Sequence, residues 1–281
     1  MVKKTTRRSG DTKKNVANGS HRFSEKLGAL ETKTIEYKDG SVYVGQVRDG
    51  TRCGLGQQTW TDGAQYTGEW KDNMTNGKGK FRYAYGDIYD GEWINDKANG
   101  YGDYIYTNGS RYIGQWKDDV HHGEGTESWP DGTKYVGTYK EGVKHGKGTY
   151  DWGDGSKYVG EWHNGTTEGI GSYTWKDGRV YTGDWENGYM HGKGTCVWPN
   201  GRTYEGEYTK NKQQGNGVYK WADGRKYEGH WMNGKQDGEG RYVDIDGNEK
   251  RGLWKNGKRI KWLDAENEQD GDDGGAGDEQ T

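Results

Sequence analysis

The sequence predicts an all-β protein: an elongated, single-layer antiparallel sheet, or solenoid, of about ten consecutive β-hairpins. Three observations carry this. A tyrosine recurs every 23 residues, at Tyr43, Tyr66, Tyr89, Tyr112, Tyr135, Tyr158, Tyr181, Tyr204 and Tyr227, with no insertion or deletion. Within each unit the marked positions are spaced by two, the period at which side chains alternate faces of a pleated chain. Glycine supplies 52 of 281 residues, and each would cost a helix interior about 1 kcal/mol relative to alanine.

Take each tyrosine as position 0. Glycine follows at +2, as Gly45 and Gly114, and an aromatic at +4, as Trp70 and Tyr139, with Val47 the exception. These define a first strand. Glycines at +11 and +13, as Gly123 and Gly125, and an aromatic at +17, as Trp60, Tyr83 and Trp152, define a second; Asp244 breaks the +17 column. Glycine at +20 usually follows Asp or Asn, as in Asp131-Gly132 and Asn200-Gly201. That pair marks a tight hairpin turn, since glycine takes positive φ at little cost.

One face of such a sheet carries the Tyr, Trp and Gly columns. The other carries polar residues, among them Glu69, Glu92, Gln115, Glu161, Asp184 and Glu207 at +3. The glycines are expected to leave room for rings lying over the neighbouring backbone. Thirteen of the fourteen tryptophans fall at +4 or +17, counting Trp254 in a truncated tenth copy that keeps Gly252 and Gly257; Trp262 alone lies outside. The tryptophans are therefore expected to be structural. With 28% apolar residues, a thick two-layer core is excluded. Part of the aromatic stripe is expected to stay open to a partner, with Tyr66, Trp70, Tyr89, Trp93, Tyr112, Trp116, Tyr135, Trp162 and Trp185 as the candidate contact residues.

The pattern Tyr-x-Gly-x-Trp, then x-x-Gly-x-x-His-Gly-x-Gly, is carried in near-complete form by residues 181–194. It resembles the MORN repeat (membrane occupation and recognition nexus). The resemblance runs from residue 43 to about 262, after a half-copy at Tyr37, Asp39 and Gly40. Departures are small. Asn73, Asp96, Asp119 and Asn211 replace the usual glycine at +7, and the histidine at +10 survives only as His122, His145 and His191. The resemblance implies one elongated, twisted antiparallel sheet. Stand-alone arrays similar to this one occur in ciliary radial spoke heads, related axonemal complexes and cytoskeletal collars.

Charge divides the chain into three expected parts. Residues 1–35 form a basic arm with nine Lys/Arg against three acids, including Lys3, Lys4, Arg7, Arg8, Lys13 and Lys14. This arm is the candidate contact for an anionic partner. Residues 36–262 form the repeat array, and residues 263–281 an acidic tail with eight acids and no base. Both ends are polar enough to be expected disordered. No apolar run, signal-peptide core or lipidation motif is present, so no transmembrane segment or lipid anchor is expected. Cys53 and Cys196 are more than six repeats apart, about 60 Å at the usual strand spacing, so they cannot pair with each other. A reducing, cytoplasmic compartment follows.

The sequence carries no residue pattern expected to support catalysis or metal binding. His122, His145 and His191 share a column, but successive copies of a column lie about 10 Å apart, too far for one metal. The Gly-x-Gly runs recur in strands and open no helix, so they build no phosphate loop. No Gly-x-Ser-x-Gly elbow occurs. No enzymatic activity, cofactor or metal is expected. The expected function is a structural scaffold and protein-interaction module of a cytoskeletal assembly, in its most specific form a cilium or flagellum axoneme. Partners would bind along the sheet face or edge, and a homodimer would cover exposed apolar area. The alternative is a peripheral membrane adaptor for anionic phospholipids or phosphoinositides. Nucleic acid is disfavoured by the near-neutral body and the acidic +3 row.

Overall fold

A computed structural model describes residues 28–263. The described chain is one open antiparallel sheet of 21 strands, with no helix among them. β1 (Glu31–Glu36) pairs with β2 (Val42–Arg48), which pairs with β3 (Thr51–Thr59), then β4 (Gln65–Lys71) and β5 (Met74–Arg82). The meander continues, each strand bonded to its neighbours in sequence, to β20 (Glu249–Lys255) and β21 (Lys258–Trp262). Each repeat thus contributes a seven-residue and a nine-residue strand.

Two turns close each unit. The tight one sits at +6 and +7, where both residues take positive φ, as at Asp49 (49°) with Gly50 (77°) and Asn187 (51°) with Gly188 (83°). This is the mirror-image hairpin turn that matches strand twist. The Asp-Gly or Asn-Gly at +19 and +20 lies in a longer loop, closed by Trp60 N–H to the Ala64 carbonyl at 2.9 Å and Gly63 N–H to the Trp60 carbonyl at 3.0 Å. There the Asp62 carboxylate accepts the Ala64 N–H at 3.0 Å, a side-chain turn typical of Asp and Asn.

Two details differ from the period-two expectation. The +17 aromatic is not a strand residue: β3 ends at Thr59, and Trp60 begins the loop. The +11 glycine has positive φ in every full repeat, for example 69° at Gly54, and the strand register slips beside it, between Gly45 and Val47 on the partner. A bulge here re-aims the second strand. The shared parity of +11, +13 and +17 therefore does not place them on one pleated face.

The core is the single aromatic face. The nine tyrosines at position 0 are 0–1% exposed, and the +4 column from Val47 to Trp254 is 1–9% exposed. A further column at +15 completes it, with Phe81 opposite Tyr66 and Tyr104 opposite Tyr89. Its parity matches +13, but Gln58, Glu127 and Cys196 interrupt it, and this mixed chemistry hid it from the sequence. Trp262, outside the pattern, stands opposite Gly252 and packs on Trp254 and Tyr242, both 6.0 Å away. It closes the C-terminal end of the aromatic row.

Candidate functional site

Each tyrosine ring lies across two glycines. A Cβ on Gly102 would come within 2.4 Å of the Tyr89 ring, and one on Gly91 within 2.6 Å of the Gly102 Cα. The Tyr89 hydroxyl donates to the Glu92 carbonyl at 2.9 Å, and the other eight tyrosines repeat this bond three residues on. Burial pushes the Tyr43 hydroxyl up to about 12.

Each +4 ring of the nine full repeats is gripped edge-on by two tyrosines. Trp93 meets Tyr89 at 5.0 Å and Tyr66 at 5.4 Å, with planes 88–89° apart. Such pairs contribute about 0.5–1.5 kcal/mol beyond area burial. Its indole N–H donates to the Gly79 carbonyl of the preceding repeat at 2.9 Å. The Tyr and Trp columns are therefore joints between repeats.

All nine candidate contact residues occupy these two columns. Tyr66, Tyr89, Tyr112 and Tyr135 are buried under glycine-flanked backbone positions; Trp70, Trp93, Trp116, Trp162 and Trp185 are buried between tyrosines. A partner on this face meets their neighbours, above all the half-buried +17 row of Trp60, Trp129, Trp175, Trp198 and Trp221. The basic-arm candidates Lys3, Lys4, Arg7, Arg8, Lys13 and Lys14 and the acidic tail lie outside the described residues.

The polar columns are also committed to backbone. At +3, Glu69 accepts the Lys78 N–H at 2.9 Å and Glu92 accepts the Tyr101 N–H at 3.0 Å. These are amides beside the +11 bulge, so the acidic row caps backbone that the bulge leaves unpaired. At +10, Glu168 accepts the Asn187 N–H at 3.0 Å and Gln214 the Asn233 N–H at 3.1 Å, each in the next hairpin turn. The four non-glycine +7 residues gain a bond that glycine lacks: Asp96 accepts the Thr75 N–H at 2.7 Å and Asp119 the Ala98 N–H at 2.7 Å. Asn73 and Asn211 do the same.

One irregular region stands out in the fourth and fifth repeats. Glu127 takes the +15 place of an aromatic and Lys144 sits at +9. They pair at 3.4 Å with side chains 17% and 20% exposed. The Lys144 ammonium lies 5.1–5.5 Å from the rings of Trp129, Tyr135 and Tyr150, a cation–π arrangement. Tyr139 donates to Glu127 at 3.0 Å. His121, not one of the +10 histidines, is the ring in this core. Burial, then the nearby Lys144 charge, pushes it down to about 4. Every charge in the cluster faces a partner, and no group of three or more His, Cys, Asp or Glu able to hold a metal occurs among the described residues.

An open array of hairpins with a one-sided aromatic core defines a repeat-type binding protein. The sequence matches the MORN repeat at residues 43–65, 66–88, 89–111, 112–134, 135–157, 158–178, 181–201, 204–224 and 227–249. The chain belongs to the MORN repeat family. No curated protein matches it. Among solved structures it is similar to the TCP10 domain of Danio rerio CPAP in complex with a STIL peptide, at 12% identity and TM-score 0.44, covering 84% of this chain and 100% of that one. It is also similar to the TCP domain of SAS-4 (dCPAP) from Drosophila melanogaster with a proline-rich motif of Ana2 (dSTIL), at 12% identity and TM-score 0.35, covering 71% and 98%. A streptogramin B lyase aligns at 13% identity and TM-score 0.15, covering 83% and 85%. Similarity at these values carries no functional information. MORN repeats are generally protein- or membrane-interaction modules, and no catalytic family is indicated.

Proposed function

We propose that this protein is a non-enzymatic scaffold that binds other proteins in a cytoskeletal assembly, in the first instance a ciliary or flagellar axoneme. The observation that carries the reading is the commitment of the conspicuous residues to architecture. Tyrosine, tryptophan and glycine hold repeat to repeat, and the +3 acids cap the bulge within each repeat, leaving a long open surface whose features recur once per hairpin. Such surfaces are suited to spacing partners. The lysines of the polar face offer little to an anionic membrane, since neighbouring acids answer them: Lys80 pairs with Asp90 at 2.9 Å. Expression of a fluorescently tagged chain in ciliated cells tests the proposal. Enrichment along axonemes or another cytoskeletal structure is expected, and a uniformly diffuse signal in cells that build cilia would remove the ciliary form of it.

A further inference from the structure

The aromatic face is not uniform along its length. At +21, in the loop after the +17 ring, the first five repeats place Ala64, Asp87, Ser110, Thr133 and Ser156, all buried. The next three place Arg179, Arg202 and Arg225. Each guanidinium lies over the +17 tryptophan of its own repeat: Arg179 over Trp175 at 5.0 Å, Arg202 over Trp198 at 5.6 Å and Arg225 over Trp221 at 5.3 Å. Between Arg179 and Arg202 opens a recess of about 250 Å³. Its lining carries three cations, Arg179, Arg202 and Lys212, and no carboxylate; Asp177, outside the lining, pairs with Arg179 at 2.7 Å. Its floor is aromatic and apolar, with Tyr208 and Cys196, and burial pushes the Cys196 thiol up to about 11. The depression on the opposite face differs: Lys193, Lys220 and Lys226 there are offset by Glu205, Glu207 and Glu228.

We infer that this Arg/Trp recess is a docking surface for an extended acidic segment, and that its occupant is residues 264–281 of the same chain. Charge complementarity is the first reason. That segment holds eight acids and no base, and the arginine column of the aromatic face lies in the sixth to eighth repeats, separated from it by the ninth repeat and the truncated tenth copy. Reach is the second. The described chain ends just after Trp262, which packs on Tyr242 at 6.0 Å; Tyr242 is 6.1 Å from Trp221, Trp221 4.8 Å from Tyr219, and Tyr219 6.0 Å from Trp198 in the recess. Four ring-to-ring steps thus lead from the end of the sheet to the recess. Eighteen extended residues span up to about 60 Å, well beyond that distance. Arginine on an aromatic face suits carboxylates through its in-plane donors; here Nε of Arg179 already meets Asp177 at 2.7 Å and Nε of Arg202 donates to Asn200 at 3.1 Å, so the two Nη groups of each are the donors offered to the segment. Partners of the aromatic face would have to displace the segment, whichever assembly they belong to, so the inference stands apart from the scaffold reading.

Zero-length carbodiimide coupling of the full chain tests it, with the amide-linked peptides located by mass spectrometry in the monomer fraction. The expected product joins Lys212 to Glu266, Glu268, Asp270, Asp272 or Asp273. Its yield should fall about fivefold or more in an R179Q/R202Q chain and in about 0.5 M salt, where screening is strong. Coupling of these acids only to Lys258 and Lys261, to Lys3, Lys4, Lys13 and Lys14, or to another molecule would overturn the inference. A reciprocal variant covers the case in which R179Q/R202Q fails to fold. In a full chain with the eight acids changed to their amides, a labelled peptide of residues 264–281 should bind about tenfold tighter than it binds the native chain, because the tethered competitor is gone. Equal binding to both chains would also overturn it.

Discussion

Tyr112 and His121 stack face to face, with ring centroids 3.6 Å apart and planes 4° apart. Trp116 and Tyr139 meet the same imidazole edge-on at 4.7 and 5.4 Å. A histidine has been fitted into a row that elsewhere holds neutral or partnered side chains, and it must stay neutral to remain there.

The first prediction is acid sensitivity at this point. Burial and then Lys144 hold His121 down to about 4, against an ordinary value near 6.5. Between those values the unfolded chain binds a proton that the folded chain refuses. Stability is therefore undiminished above about pH 6.5, falls as the pH drops towards 4, and levels off below. The half-buried ring reduces the effect to about 1–2 kcal/mol. Urea midpoints of native and His121→Phe chains between pH 7 and 4 check this. The variant should lose less stability on acidification, and identical slopes would refute the assignment.

A second prediction concerns the Glu127–Lys144 pair. Lys144→Ala should leave Glu127 as an unanswered charge in the core, held only by the Tyr139 hydroxyl, at a cost of about 2–4 kcal/mol. Replacing both, as Glu127→Tyr with Lys144→Thr, puts in their places residue types that other repeats use, and should be neutral or stabilising. Chemical denaturation of the single and double variants measures the difference. A double variant as unstable as Lys144→Ala would show that the pair is needed for the fold.

Glycines that share a residue type should differ sharply in tolerance. Gly102→Ala drives a Cβ to 2.4 Å from the Tyr89 ring and should cost about 3 kcal/mol or more, as overpacking does at its upper range. Gly201 has φ of 86° with open space around it, so Gly201→Ala should cost only about 1–2 kcal/mol of backbone strain. Thermal unfolding of the two variants ranks them. The reverse order would contradict the ring-over-glycine geometry.

Trp93→Phe keeps the edge-on ring but removes the indole N–H that reaches the Gly79 carbonyl at 2.9 Å. A loss of about 1 kcal/mol is expected, with an added cost if the carbonyl is left unsatisfied. Because the bond joins two repeats, amide exchange should quicken on both sides of it, in β5 and in the strand at Ile88–Ile94. Exchange changed only within Trp93's own repeat would argue against a coupling role.

Much of this was legible in the sequence. The 23-residue period gives hairpins, and the tyrosine and glycine columns share parity because each ring must lie over backbone without a Cβ. The placement of Trp60 and its column was less legible, since the bulge at the +11 glycine breaks the two-residue count. The contact surface was harder still. Trp70 and Trp93 look like an exposed stripe when one sheet layer is assumed to leave its face open. Instead each is covered by tyrosines of two repeats and bonded to a neighbouring carbonyl. Glu69 and Glu92 look like surface charge until the bulge amides they cap are seen.

By itself the sequence determined the repeat, its strands and turns, and the family, because these depend on local spacing and on glycine's backbone freedom. The tertiary structure decided which aromatics are covered, which acids are committed to backbone, and where His121, Glu127 and Lys144 meet. It also placed Arg179 and Arg202 on one recess. Those facts depend on the bulge that re-aims each second strand and on contacts between neighbouring repeats, set by register and twist across the sheet, which sequence spacing does not encode.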